Sequence, residues 1–365
     1  MCTSFLTIAM KTLFRTMVPI TLFLFTIIIE LCKGETEPKF SSILVFGDST
    51  VDPGNNNYIT TLFRGDHLPY GVDFPGNIPT GRFSDGKLVT DMLASMQGLK
   101  ETVPPFLQPY LSNEEILTGV SFASAGSGYD ELTSLVSQVI PVSKQPGYLK
   151  EYVKRVENVL GEAHASRFMS NALVIVSAGT NDFVFNYYDL PTRRFQFSVN
   201  EYQDFLLKKL QKLVKELYHL GCRKMVVSGL PPVGCLPIQM TAKSPLLRSC
   251  IDIENKDAKS YNGKLKKLLP RIEVQLRGSK ILYADIYSPI IHMINNPHKY
   301  GFEETRRGCC GSGLLEAGPL CNGLTPICLN PSKYLFWDSI HPSESTYRFL
   351  AINLTRELLP KFAML

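Results

Sequence analysis

Four short runs of apolar, largely β-branched residues recur along the chain, at 42–46, Leu173–Ser177, Lys224–Ser228 and Lys280–Ala284. They lack the in/out alternation of a half-exposed sheet, as strands covered on both faces should. Between them the period changes. Tyr202, Phe205, Leu206, Leu210, Leu213, Val214 and Leu217 fall on one side of a helix that Gly221 ends. A last helix starts near Ser343 and carries Tyr347, Leu350, Ala351, Leu354 and Leu358 on its apolar stripe. Strand-like and helical patterns alternating in this way predict an α/β fold with a mainly parallel sheet covered by helices. No repeat, low-complexity tract or Gly/Ser-rich linker interrupts residues 35–365, so one domain with long loops is expected.

One apolar stretch does not belong to that pattern. Lys11 and Arg15 precede the run 17–29, and Glu30, Lys33 and Gly34 follow it. This is the layout of a secretory signal peptide, with cleavage expected near Gly34. The run is shorter than the ~20 residues a spanning helix needs, so no membrane anchor is expected after cleavage. The 365-residue chain carries a net charge of +5; three cations and one anion in the leader supply +2 of it. Such a mild excess, interleaved with acidic residues as in 150–157, excludes a nucleic-acid surface and reads as a solvated helix face.

Removing the leader leaves seven of the nine cysteines. In an oxidising compartment most should pair, with Cys222, beside an apolar strand, the odd one. Zinc is the alternative for Cys309, Cys310, Cys321 and Cys328, but adjacent cysteines lack the usual ligand spacing. Asn353 heads a glycosylation sequon that falls on the predicted last helix.

The candidate chemistry gathers around a serine. Gly47, Asp48 and Ser49 follow the first strand, where a sharp turn leaves a hydroxyl at the carboxyl edge of the sheet, the ligand-binding edge of open α/β folds. Gly-Asp-Ser is equally ordinary turn chemistry. Asp338 and His341, three apart before the last helix, could supply the base and the carboxylate that orients it, or could form a surface turn and cap. Asn181, beyond the strand Leu173–Ser177, and the N–H of Gly126, within the small-residue run 123–128, are candidate oxyanion donors. Either could instead be plain turn or packing chemistry. No Gly-x-Ser-x-Gly elbow and no His-Glu-x-x-His site occurs. The Gly81 to Lys87 match to a phosphate loop fails at Leu88, where Ser or Thr is required.

Seven segments in order resemble the GDSL esterase/lipase family of plants, within the SGNH hydrolase superfamily: FGDSTVDPGNNN (46–57), PYGVDFPGNIPTGRFSDGKLVTD (69–91), VSFASAGSGY (120–129), GTND (179–182), LPPVGCLP (230–237), CCGSG (309–313) and FWDSIHP (336–342). The resemblance implies a three-layer α/β/α sandwich with about five mostly parallel, flavodoxin-like strands. It implies Ser49 as nucleophile, His341 as base, Asp338 as its partner, and an oxyanion hole of Ser49, Gly126 and Asn181. No metal or organic cofactor is implied. The expected partner is a small-molecule, lipid or cell-wall ester outside the cell, with no nucleic acid. The chain departs from the family pattern at Thr50, where the family name has Leu, and at Ala125, where many relatives carry Gly. An acyltransferase using the same acyl-enzyme, or a secreted binding protein on this scaffold, are the alternative functions.

Overall fold

In the computed structural model, which describes residues 40–364, the four apolar runs lie side by side as strands of one parallel sheet. The segment 1–34, expected from the sequence to be a signal peptide, lies outside the described residues. The strands are β1 (Ile43–Gly47), β2 (Gly119–Ser121), β3 (Leu173–Ser177), β4 (Lys224–Ser228) and β5 (Lys280–Ala284), in the spatial order β2-β1-β3-β4-β5. Pairing is in register across the sheet, with Val45 beside Ile175 and Ile175 beside Val226. This flavodoxin-like order places the reversal of strand order between β1 and β3, where a crevice opens at the carboxyl ends.

The two faces of β1 show the layering. Phe46 stacks on Phe122 at 4.9 Å, and Phe122 meets Tyr152 of the Gln145–Leu160 helix edge-on at 5.9 Å. On the opposite face, Ile175 and Val226 share a cavity wall with residues of the Val89–Met96 and Glu344–Glu357 helices. The α/β sandwich expected from the sequence is therefore present. The helix expected to end at Gly221 runs over Val199–His219 and stops just before that glycine, and the last helix starts at Ser343 as expected, where the Ser343 side chain accepts from Thr346 N–H. The start of the first of these was not read from the sequence: Ser198 caps it in a reciprocal pair with Glu201.

Two features were not expected from the pattern. Strand β2 has three residues, and its Gly119 lies so close to β1 that a Cβ would sit 2.0 Å from the Ile43 carbonyl oxygen. A second sheet of β6 (Glu304–Gly308) and β7 (Tyr334–Phe336) carries the polar sequence Glu-Thr-Arg-Arg-Gly in β6. The loop between these strands is stapled by Cys309–Cys328 and Cys310–Cys321. A third disulfide joins Cys235 to Cys250, and Cys222 is free and buried. Pairing thus accounts for all four cysteines considered for zinc.

Candidate active site

Strand β1 ends at Gly47, whose φ of +144° and position admit no side chain: a Cβ would lie 1.8 Å from the Ser177 carbonyl oxygen of β3. The backbone can therefore turn tightly against β3, and Asp48 N–H donates to that same oxygen at 3.0 Å. Gln145 fixes the turn from the other layer: its Oε1 accepts from Gly47 N–H and its Nε2 donates to Gly47 O, each at 2.8 Å. The consequence is Ser49 at the sheet edge, 5% exposed.

His341 arrives from the segment between β7 and the last helix. Its Nε2 lies 2.8 Å from Ser49 Oγ and its Nδ1 lies 2.7 Å from Asp338 Oδ2. Asp338 is wholly buried, and its second oxygen, Oδ1, accepts the N–H groups of Ile340 at 2.8 Å and His341 at 2.7 Å. The three-residue spacing thus lets one turn both shape the carboxylate and present the imidazole. With Nδ1–H donated to the carboxylate, Nε2 is left as the acceptor for the serine hydroxyl.

A further residue completes this chain, and nothing in the sequence assigned it a role. The Tyr70 hydroxyl donates to Asp338 Oδ2 at 2.8 Å and accepts from Gly318 N–H at 2.7 Å. Burial, then the Asp338 charge, pushes the phenol well above its ordinary pKa, so it stays protonated and donates. Tyr70 falls inside the segment 69–91 quoted above, which was the only signal available.

The candidate oxyanion donors face the same cavity of about 240 Å³ as Ser49 and His341, together with Phe83, Phe185 and Leu320. Asn181 Nδ2 donates one hydrogen to Ser127 O at 2.9 Å, which orients the amide and leaves its other hydrogen free. Among the described residues neither the Ser49 nor the Gly126 N–H has a protein acceptor. Gly126 has φ +82°, and Ala125 beside it donates its N–H to Asp52 Oδ2 at 2.9 Å. Asp52, Asn55 and Asn56 hold this loop from below. Asn55 Nδ2 donates to Ser121 O and Ala123 O, and Asn56 Nδ2 to Ala125 O. On the other side Asp182 accepts from Tyr129 N–H, Asp130 N–H and Thr133 Oγ1.

Buried carboxylates crowd the floor of the site. Desolvation raises Asp48 and Asp52 to about 6 and Asp182 to about 7, although hydrogen bonds oppose it in each case. Among the described residues no group of His, Cys, Asp and Glu could hold a metal ion.

A serine hydroxyl bonded to an imidazole, the imidazole bonded to a buried carboxylate, and free N–H donors beside the serine are the parts that acyl transfer requires. The model of the GDSL-like lipase/acylhydrolase family matches residues 43–354. The chain belongs to this family. It is similar to three GDSL esterase/lipases of Arabidopsis thaliana. One is 53% identical over 94% of this chain and 98% of its own length. The second is 54% identical over 90% and 94%, and the third 56% identical over 87% and 89%. Among the described residues no helix is long and apolar enough to cross a membrane.

Proposed function

We propose that this GDSL-family protein is a secreted serine carboxylic-ester hydrolase, 35–365 being its mature single domain, and that it works through an acyl-enzyme on Ser49. The observation that carries this is the unbroken hydrogen-bonded chain from Ser49 Oγ through His341 to Asp338, with links of 2.8 and 2.7 Å. His341 Nε2 takes the Ser49 proton as Oγ bonds to the ester carbonyl carbon. The charge passes to the carbonyl oxygen, which the N–H groups of Ser49 and Gly126 and the Asn181 amide receive. His341 then returns its proton to the departing alkoxide, and Asp338 stabilises the transient imidazolium. Water, deprotonated by His341, attacks the acyl-enzyme and restores Ser49.

Secretion is supported by three disulfides, which persist in oxidising compartments. Asn353 is exposed on the last helix, accessible to the glycan that its sequon would receive. Ser49→Ala should lower turnover by several orders of magnitude and abolish labelling by a serine-directed phosphonate. Full ester hydrolysis by folded Ser49→Ala would end the assignment. Asn181→Ala should cost about 10²–10³ in kcat, and an unchanged rate would remove it from the site. Product analysis with an added alcohol separates hydrolysis from acyl transfer to that acceptor.

A further inference from the structure

A second cavity shares the lining residues Ser49, Asn181 and Ile340 with the active-site cavity but touches neither His341 nor Gly126. It runs into the protein between the sheet and the Glu344–Glu357 helix. The sheet makes room for it with small residues. At the carboxyl ends of β3, β4 and β5 the positions on this face are Ser177, Ser228 and Ala284, the last two paired across the strands. Their hydroxyls are turned away from ligand duty: Ser177 Oγ lies 3.1 Å from Thr50 Oγ1, and Ser228 Oγ donates to the Gly229 carbonyl at 2.9 Å. Asp48 at the mouth likewise accepts from Thr50 N–H at 3.0 Å and Thr50 Oγ1 at 2.8 Å. The wall beyond is mostly apolar, with Val226, Phe336, Leu350 and Leu354 among its residues, and its one buried hydroxyl without a partner among the described residues is that of Tyr347.

Well-packed interiors leave few voids larger than a water, and an apolar void takes an apolar occupant. Its place relative to the base says which one. His341 must protonate the departing alcohol, so the alcohol half of an ester lies in the cavity that contains His341. The acyl half then points to the other side of Ser49.

We propose that the slot between the sheet and the Glu344–Glu357 helix binds the acyl chain, making the substrate an ester of a linear medium- or long-chain fatty acid. This rests on Ser49 being the nucleophile of an ester hydrolase. Tyr347, Leu350 and Leu354 line the slot along one side of the helix. Seven residues at the helical rise give a length of about 10 Å. A zigzag chain with bonds of about 1.5 Å fits roughly eight carbons into that length.

The test compares kcat/KM for p-nitrophenyl acetate, octanoate and dodecanoate in wild type, Ala284→Phe, which fills the slot where it passes the end of β5, and Leu354→Trp, which narrows it along the last helix. The wild-type octanoate-to-acetate ratio should exceed about tenfold, because each buried methylene adds favourable transfer energy. Ala284→Phe should collapse that ratio, and Leu354→Trp should move the preferred length down by a few carbons. Leu354 is less deeply buried, 8% exposed against 2% for Ala284, so this variant keeps the test open if Ala284→Phe does not fold. Calorimetric binding of dodecanoate to Ser49→Ala supplies a reading independent of turnover, and adding Ala284→Phe or Leu354→Trp should weaken it about tenfold or more. Acetate hydrolysis with no chain-length preference, and dodecanoate affinity unmoved by either substitution, would overturn the slot and leave the hydrolase standing. Dodecanoate binding that both substitutions weaken, in a protein that cleaves no ester, would refute the hydrolase assignment while retaining the slot.

Discussion

Replacing Tyr70 with Phe removes one oxygen from the centre of two connections that reach 268 and 248 residues along the chain. The ring itself should stay, held by Phe83 at 5.3 Å and Trp337 at 6.2 Å between centroids. What is lost is a donor to the Asp338 carboxylate and an acceptor for the Gly318 N–H. A hydrogen bond to a charged group is worth about 1.5–3 kcal/mol, and a buried orphaned N–H costs about 1–3 kcal/mol. Both act through one atom, so the combined loss should be about 2–4 kcal/mol rather than the full sum. At about 2–4 °C per kcal/mol for a large domain, the unfolding midpoint should drop by roughly 5–15 °C. Activity should suffer less. Asp338 keeps the Ile340 and His341 N–H groups on Oδ1 and the imidazole on Oδ2, so its orientation survives. The expected loss in kcat/KM is about tenfold, against ~10⁴ when a carboxylate in this role becomes an amide. Thermal unfolding followed by circular dichroism, with kcat/KM on p-nitrophenyl acetate, measures both. An unchanged midpoint would refute the bonding described for Tyr70. A loss in activity near that of Asp338→Asn would show that Tyr70, and not the two peptide N–H groups, orients the carboxylate.

Asp85, raised to about 7 by burial and then by the charges of Asp73 and Glu344, accepts from Glu344 N–H at 2.7 Å. Its folded value lies above the ordinary 3.8, so its stabilising share is present at low pH and lost as pH rises through about 7. Asp85→Asn keeps an acceptor for Glu344, so urea unfolding should show a gain of up to a few kcal/mol at pH 8 and little change at pH 4; equal changes at both would contradict the burial argument. Replacing Cys310 and Cys321 by Ser opens an 11-residue separation and should cost about 3 kcal/mol by loop entropy. Leu315, Ala317, Gly318 and Leu320 in that loop line the active-site cavity, so kcat/KM should fall too, and unaltered activity would show that the wall does not need the staple. Burial pushes the Cys222 thiol to about 12, so iodoacetamide at pH 8 should leave it unmodified until the protein is denatured, with mass spectrometry as the readout.

The central strands were legible because burial on both faces leaves a run of apolar residues that no loop needs, as in Leu173–Ser177. Strand β2 was not, because an edge of Gly-Val-Ser is too short to carry a period. Strand β6 was hidden for a different reason: it pairs outside the main core, so Arg306 and Arg307 stay exposed and polar. The Asp338–His341 spacing was legible as chemistry because both groups act within one turn. Tyr70 and Gln145 were invisible in that sense. Each works by a single contact across the fold, and a lone Tyr or Gln has no local pattern that sets it apart from its neighbours. The stretch 182–189 illustrates the same limit, since no element was read there from the sequence, yet the chain forms a π-helix that brings Phe185 to the cavity.

The bonding of the stretch 51–57 explains why Ser49 is followed by so polar and so buried a segment. Asp52 accepts from Gly54 and Asn55 N–H through Oδ1 and from Ala125 N–H through Oδ2, so one carboxylate joins the turn after Ser49 to the loop that offers Gly126. Asn55 and Asn56 add three donations to backbone carbonyls of 121–125, and Ser124 Oγ donates back to Asn56 Oδ1. Burying these groups is costly, and desolvation raises Asp52 to about 6 despite its donors. An apolar segment would pack here at lower cost, but it could not dictate the distance between two loops. An oxyanion donor has to sit within a few tenths of an ångström of where charge develops, and directional bonds from both sides supply that restraint. Ser49 and the loop that carries Gly126 are therefore held as one unit, and the Asp338–His341 pair is the part that has to be brought to it from the far end of the chain.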